Sequence, residues 1–281
     1  MAKIHLNGRL IEATTARIDP ADRGFLLADG LFETLRVYHG QAFQLTAHLA
    51  RLAAGAAALD LPMPEAGDIA KAVAETLTVN GHRKASLRIT LTRGPGQRGL
   101  LPPADPSPTL LIASHPLGEG PPAALTAHIS SIRRNENSPL SRLKSLAYLD
   151  NVLALREAAA AGCDEALMLN TSGRLAGGSR SNLFLVLNGS LVTPPPSEGV
   201  LAGIARRTLI DLAGQAGMAA REGPLTLADI EEASEAMICN SLLEVRPLTR
   251  LGARNFTIGP IGAELVRRYK ILTARNSGVP A

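Results

Sequence analysis

Two α+β domains are the fold class this sequence predicts, and three observations carry that expectation. The chain has 281 residues, a length suited to two domains of about 100–200 residues each. Strand-like and helix-like segments are mixed in both halves, without the regular βαβ alternation of a doubly wound sheet. A stretch rich in Pro and Gly, 116–124 (PLGEGPPAA), breaks the pattern near the middle and reads as an interdomain linker. The expected organisation is a smaller domain over 1–115, the linker over 116–124, and a larger domain over 125–281.

Along the chain, 3–6 and 9–12 read as strands around the turn Asn7-Gly8, a hairpin signal. Segments 31–38 and 42–45 form a second pair around His39-Gly40. The Ala/Leu-rich runs 46–60 and 67–79 carry helical periodicity. Ala85–Arg93 (ASLRITLTR) alternates as a strand, and 109–115 is another. Beyond the linker, strands are expected at 124–132, 165–170, 182–187, 190–193 and 235–240. Helices are expected at 145–161, 203–218, 226–232 and 259–275. No internal repeat of 20–50 residues is visible.

Composition narrows the function classes. The chain is 46% hydrophobic and 19% charged, which suits packed cores rather than disorder. Tryptophan is absent and aromatics are 3%, so the cores must be aliphatic. Two cysteines, Cys163 and Cys239, cannot build a disulfide framework or a four-cysteine zinc site, and read as reduced core residues. No secretory leader and no apolar run of about 18–20 residues stands out, so a cytoplasmic protein without membrane association is expected. The pI near 9.4 does not point to nucleic acid, because the arginines are scattered and few aromatics could stack bases. Scattered arginines also suit small anions, since the guanidinium fork matches carboxylate and phosphate.

One motif is set aside. Gly94-Pro95-Gly96-Gln97-Arg98-Gly99 fits GxGxxG after a strand, but a dinucleotide site needs a helix opening there to hold the pyrophosphate. Pro102, Pro103, Pro106 and Pro108 prevent one. The segment reads as a turn-rich loop, either a plain surface connection or a loop bringing Arg93 or Arg98 over a ligand. No nucleophile elbow, P-loop or metal-like His/Cys cluster appears, so no metal is expected.

Lysine is scarce: the chain has 24 Arg but only Lys3, Lys71, Lys84, Lys144 and Lys270. Lys144 stands in SPLSRLKSLAYLDN among largely apolar neighbours. Burial lowers a lysine pKa because the ammonium loses hydration, and a neutral amine is what Schiff-base chemistry requires.

A series of motifs runs with Lys144 along nearly the whole chain. They are Asp22-Arg23-Gly24-Phe25, Asp29-Gly30-Leu31-Phe32-Glu33, His48-Leu49-Ala50-Arg51-Leu52, Lys144-Ser145-Leu146 and Asp164-Glu165-Ala166-Leu167. Then come Ser181-Asn182-Leu183-Phe184, Leu201-Ala202-Gly203-Ile204, Cys239-Asn240-Ser241 and Glu244-Val245-Arg246-Pro247. In this order the sequence resembles the class IV, fold-type IV pyridoxal-phosphate enzymes: branched-chain and D-amino-acid aminotransferases and 4-amino-4-deoxychorismate lyase. The resemblance implies pyridoxal 5′-phosphate as cofactor, a small-molecule amino substrate and a homodimer.

It also implies roles. Lys144 would hold the cofactor covalently and shuttle the substrate proton. Arg51 would bind the cofactor phosphate, joined by backbone N–H groups of Gly203, Ile204 and Ala205 at a helix N-terminus. Asn240 and Ser241 match a polar turn beside that phosphate. Tyr148 matches a tyrosine that reaches the cofactor's phenolic oxygen, one residue short of the usual spacing. Arg98, Phe32 and Glu33 fall where the substrate is expected.

One position departs from the family. A glutamate that pairs with the pyridine nitrogen normally stands five residues before the Ser-x-x-Asn asparagine, and here that position is Gly177. A weakened electron sink should harm transamination more than a lysis whose product is aromatic. Asn240-Ser241 also resembles the lyases. Lyase is therefore the first expectation and class IV aminotransferase the second. A binding protein that kept the fold and lost the chemistry is the third.

Overall fold

The computed structural model describes residues 2–118, 120 and 122–276. The chain divides into two compact units. The first is the chain through residue 118 with Leu143–Ala147 and the end of the last helix from Thr273; the second is Gly120–Arg142 with Tyr148–Leu272. Two residues of the expected linker, Glu119 and Pro121, lie outside the described residues. The Lys144 segment, expected in the larger domain, packs with the first unit.

The first unit is built on an antiparallel sheet. Its elements are β1 (Lys3–Leu6), β2 (Arg9–Glu12), α1 (Arg23–Leu27), β3 (Gly30–Tyr38), β4 (Gln41–Ala42), α2 (Leu45–Ala58), α3 (Ala66–Asn80), β5 (Ala85–Thr92) and β6 (Thr109–Pro116). The spatial order is β2-β1-β6-β5-β3-β4. Both hairpin turns have φ > 0 at both central residues, Asn7-Gly8 and His39-Gly40, which matches the twist of the flanking strands. Alternate residues of β3 and β5 (Leu31, Leu35, Val37, Leu87, Ile89 and Leu91) form one core with Leu49 and Leu52 of α2 and Ile69, Val73 and Leu77 of α3. The expected strand 42–45 is shorter, because Leu45 already opens α2.

The second unit continues with β7 (Leu125–Arg134), α4 (Leu149–Ala160), β8 (Glu165–Asn170), β9 (Leu175–Gly178), β10 (Asn182–Leu187), β11 (Ser190–Thr193), α5 (Ile204–Gln215), β12 (Ala220–Glu222), α6 (Leu227–Glu232), β13 (Glu235–Asn240), β14 (Glu244–Leu251), β15 (Arg254–Asn255) and α7 (Pro260–Asn276). Its sheet runs β12-β11-β10-β13-β14-β7-β8-β9, with β15 beside β14. The pairs β11–β12, β14–β7 and β7–β8 are parallel. Leu183, Leu185, Val192, Ile238 and Leu248 anchor its core.

The helix expected over 145–161 starts only at Leu149. The residues before it are extended because they pair with β3: Phe32 N–H donates to the Lys144 carbonyl, and Leu146 N–H donates to the Gly30 carbonyl. Sequence reading also missed α1, β9, β12, β14 and β15, all short, Gly-containing or, for β14, interrupted by Pro247.

Candidate functional site

In the first unit, strand alternation places Glu33 on the same side of β3 as Leu31 and Leu35, facing α2. Its carboxylate is fully buried. It is not orphaned: Arg51 donates to Oε1 from Nε (2.8 Å) and to Oε2 from Nη2 (2.6 Å), and His48 Nδ1 lies 2.7 Å from Oε2. His48 and Arg51 stand three residues apart on α2, so they share a face. Burial alone would raise the Glu33 pKa. Hydrogen bonds and charge from Arg51 and His48 outweigh it and hold the carboxyl below its usual range. Burial pushes the His48 pKa down, with Arg51 and Lys144 adding to that and Glu33 opposing. His48 is therefore a neutral imidazole near pH 7, donating from Nδ1 to the carboxylate.

Lys144 is half-buried beside this group. Its Nζ lies 4.5 Å from the centre of the Phe32 ring, and Arg88 Cζ lies 3.9 Å from the same ring. Burial, Arg51 and Arg88 lower the amine from 10.5 to about 8, against the opposing charge of Glu33. A substantial neutral fraction at physiological pH follows. Arg88 is exposed on β5, and its register opposite Thr34 puts it on the Phe32 side of the sheet.

The neighbouring motif residues serve a different purpose. Buried Arg23 and Arg93 both donate to Asp29 Oδ2 at 2.8 Å. Arg23 also holds the carbonyls of Gly99 and Leu100, and Arg93 those of Leu59 and Asp60. Arg93 is thus a loop anchor, which for Arg93 favours the plain connection over the reading that puts it or Arg98 over a ligand. Arg98 is exposed on the loop that Arg23 secures. That loop contains no helix, in keeping with its rejection as a dinucleotide fingerprint.

In the second unit, the start of α5 is shaped by a close approach. Asn182 donates to the Leu201 carbonyl at 3.0 Å. A Cβ on Gly203 would stand 2.0 Å from Asn182 Oδ1, so any larger residue requires Asn182 or the turn to shift. No side chain caps the helix at Gly203. The first N–H groups, at Ile204 and Ala205, therefore keep the positive helix end available to an anion. Asn240 is engaged in building its own turn: Oδ1 accepts from Leu242 N and Leu243 N, and Nδ2 donates to the Arg180 carbonyl. The Asn240 side chain is thus spent on holding the polar turn that was expected beside the phosphate. It shapes the turn that presents half-buried Ser241.

Tyr148 sits just ahead of α4, half-buried, rather than inside the helix. The nearby Arg134 guanidinium holds the carbonyls of Ala176 (2.8 Å) and Gly178 (3.1 Å), on either side of Gly177. Gly177 has φ +80°, and a Cβ there would lie 3.1 Å from the Ser181 carbonyl oxygen. The family glutamate is thus replaced by a backbone conformation that disfavours any side chain. Buried Glu165 accepts from the hydroxyls of Ser179 and Ser181 and from the Ala166 amide.

The structure brings the expected residues Lys144, Arg51 and Phe32 together in the first unit. Glu33, expected at the substrate, instead holds Arg51, because both its oxygens are occupied and no surface is exposed. His48 and Arg88 were missed as site residues. The i,i+3 spacing of His48 and Arg51, and an arginine on an alternating strand, were the available signals. No group of His, Cys, Asp and Glu that could hold a metal exists among the described residues. No described helix is long and apolar enough to cross a membrane.

In the first unit, an amine lowered to about 8 near a guanidinium held by a buried carboxylate suits an aldehyde that carries an anionic group; in the second, the uncapped start of α5 by itself suits an anion. Comparison with known proteins agrees. The amino-transferase class IV family matches residues 30–251. A Methanocaldococcus jannaschii protein, provisionally named a branched-chain-amino-acid aminotransferase, is 36% identical over 95% of each chain. The aminodeoxychorismate lyase of Bacillus subtilis is 32% identical over 90% of this chain and 88% of its own. The structure of a Thermoproteus uzoniensis branched-chain aminotransferase superposes with a TM-score of 0.92 at 30% identity, covering 97% of this chain and 94% of that one.

Proposed function

The chain belongs to the class IV amino-transferase family, and on that premise we propose that it is a 4-amino-4-deoxychorismate lyase, releasing pyruvate and leaving p-aminobenzoate. Its fold is that of the fold-type IV enzymes, and it is a pyridoxal-phosphate-dependent enzyme acting on small amino or oxo acids. When bound, the cofactor supplies an electron sink for the carbon that bears the substrate amine. Lys144, as a neutral amine, would attach the cofactor covalently and, once released from it, would move the proton at that carbon. Arg51 would be the phosphate ligand of the first unit, and the N–H groups of Gly203, Ile204 and Ala205 with Ser241 would be those of the second. Tyr148 would serve the ring's phenolic oxygen. Phe32 would wall the reacting side, and Arg98 would take a substrate carboxylate. The working form is a homodimer.

Gly177 carries the lyase reading. With φ +80° and a carbonyl 3.1 Å from any added Cβ, the position offers no carboxylate to keep the ring nitrogen protonated. A weaker sink suits a reaction whose aromatic product itself favours the forward step. It suits less a transamination that must reprotonate the cofactor carbon. One observation favours a class IV aminotransferase acting on branched-chain or D-amino acids: exposed Arg88, stacked on Phe32 beside Lys144, is placed to hold the carboxylate of a 2-oxo acid. The purified enzyme incubated with aminodeoxychorismate should release pyruvate without an added oxo acid. Absence of pyruvate, together with 2-oxoglutarate-dependent turnover of an amino acid, would establish the aminotransferase instead.

A further inference from the structure

We propose that His48 is a positioning residue for cofactor phosphate binding, acting through the Glu33 carboxylate on the orientation of the Arg51 guanidinium. The inference rests on the reading of Arg51 as a phosphate ligand and deepens it.

The geometry carries the argument. Arg51 engages Glu33 through one edge of its fork, Nε to Oε1 and Nη2 to Oε2. That pairing fixes the plane of the guanidinium, which is directed only as well as the carboxylate is. Glu33 sits on a strand face otherwise lined by Leu31, Leu35 and Val37, where an unanchored carboxylate would turn about its last torsion. His48 removes that freedom: its Nδ1 lies 2.7 Å from Oε2, the oxygen that also accepts from Arg51 Nη2. The His48 ring is itself only 1% exposed, held in α2 three residues from Arg51. Because the carboxylate can only accept, Nδ1 is the donor in this contact. Arg51 therefore meets an anion with its fork already oriented, and little side-chain freedom is lost on binding. His48 touches neither the phosphate nor the reacting atoms in this scheme.

The test compares affinities of the cofactor-free enzyme for pyridoxal 5′-phosphate and for pyridoxal, which has the same ring without the phosphate. In His48→Ala the phosphate form should weaken about tenfold, as for loss of one charge-assisted hydrogen bond, while pyridoxal stays within about twofold. Asparagine places its amide donor near the position of Nδ1 and glutamine does not. His48→Asn should therefore restore most of the discrimination and His48→Gln should not, a comparison that holds even where the alanine variant does not fold. Parallel weakening of both ligands, or glutamine restoring as well as asparagine, would overturn the proposal. Arg51→Gln separates the premise: if it leaves the ratio of the two affinities unchanged, the phosphate reading of Arg51 fails and the role of His48 fails with it.

Discussion

The first unit surrounds Lys144 with charged side chains, whereas the second shapes the start of α5 with amides, a glycine and main-chain groups. Around Lys144, Glu33, Arg51 and Arg88 act at a distance on the amine, and the buried Glu33–His48–Arg51 group keeps the charges in place. Around Gly203, function depends on shape: Asn182 leaves no room for a Cβ, and the helix start is uncapped. The difference teaches that the two regions should fail differently. A charge change in the first unit should alter titration and ion pairing, and a size change in the second should alter fit.

The largest expected effect comes from size. Gly203→Ala puts a Cβ 2.0 Å from Asn182 Oδ1, so the turn or Asn182 must move. We expect a loss of about 2–3 kcal/mol in stability, as for overpacking of a close contact, and a cofactor affinity at least tenfold weaker. An alanine variant that melts and binds like the parent would show that the approach is not tight.

Next comes charge. Glu33→Gln removes the charge of a buried ion pair but keeps an accepting oxygen, and we expect a loss of about 1.5–2 kcal/mol near neutral pH. The pH dependence gives the sign. The Glu33 pKa is lowered in the folded state, so its contribution is present above the unfolded value of about 4.3. It is lost as pH falls through the folded pKa. Denaturant unfolding from pH 7 to 3 should show a smaller acid-induced loss in the variant than in the parent. Equal losses would mean that Glu33 is not the carboxylate responsible.

A third effect appears as a change of slope rather than as a single loss. Lys144 has a folded pKa of about 8 against about 10.4 unfolded. Between these values the unfolded chain binds more protons, so the cofactor-free enzyme should gain stability as pH rises from 8 to 10. Lys144→Met should flatten that slope and be more stable than the parent at pH 7. A parent without the slope would place the amine in water rather than beside Phe32.

The same division explains what the sequence could and could not reveal. Hairpins at Asn7-Gly8 and His39-Gly40 and the strands 165–170, 182–187 and 235–240 were legible, because turn chemistry and apolar runs are local signals. The five-residue α1 is too short to show periodicity. Pro247 hid β14, and the glycines of LAGG hid β9. The residues around Lys144 read as a helix because their composition is helical, yet pairing with β3, more than a hundred residues earlier, makes them extended. Lys144, Arg51 and Gly203 were legible as motif residues. Glu33 was placed at the substrate because its motif said nothing of which face of β3 it occupies, and that face is set by α2. Asn240 matched its motif too, but its side chain is engaged by its own turn and by the Arg180 carbonyl.

The claim that the first unit singles out one amine is tested most directly by borohydride reduction of the cofactor-bound enzyme, followed by peptide mass spectrometry. Reduction should fix one pyridoxyl-phosphate group on the peptide containing Lys144 and leave Lys3, Lys71, Lys84 and Lys270 unmodified. Label on any of those four at comparable yield, or none on Lys144, would contradict it.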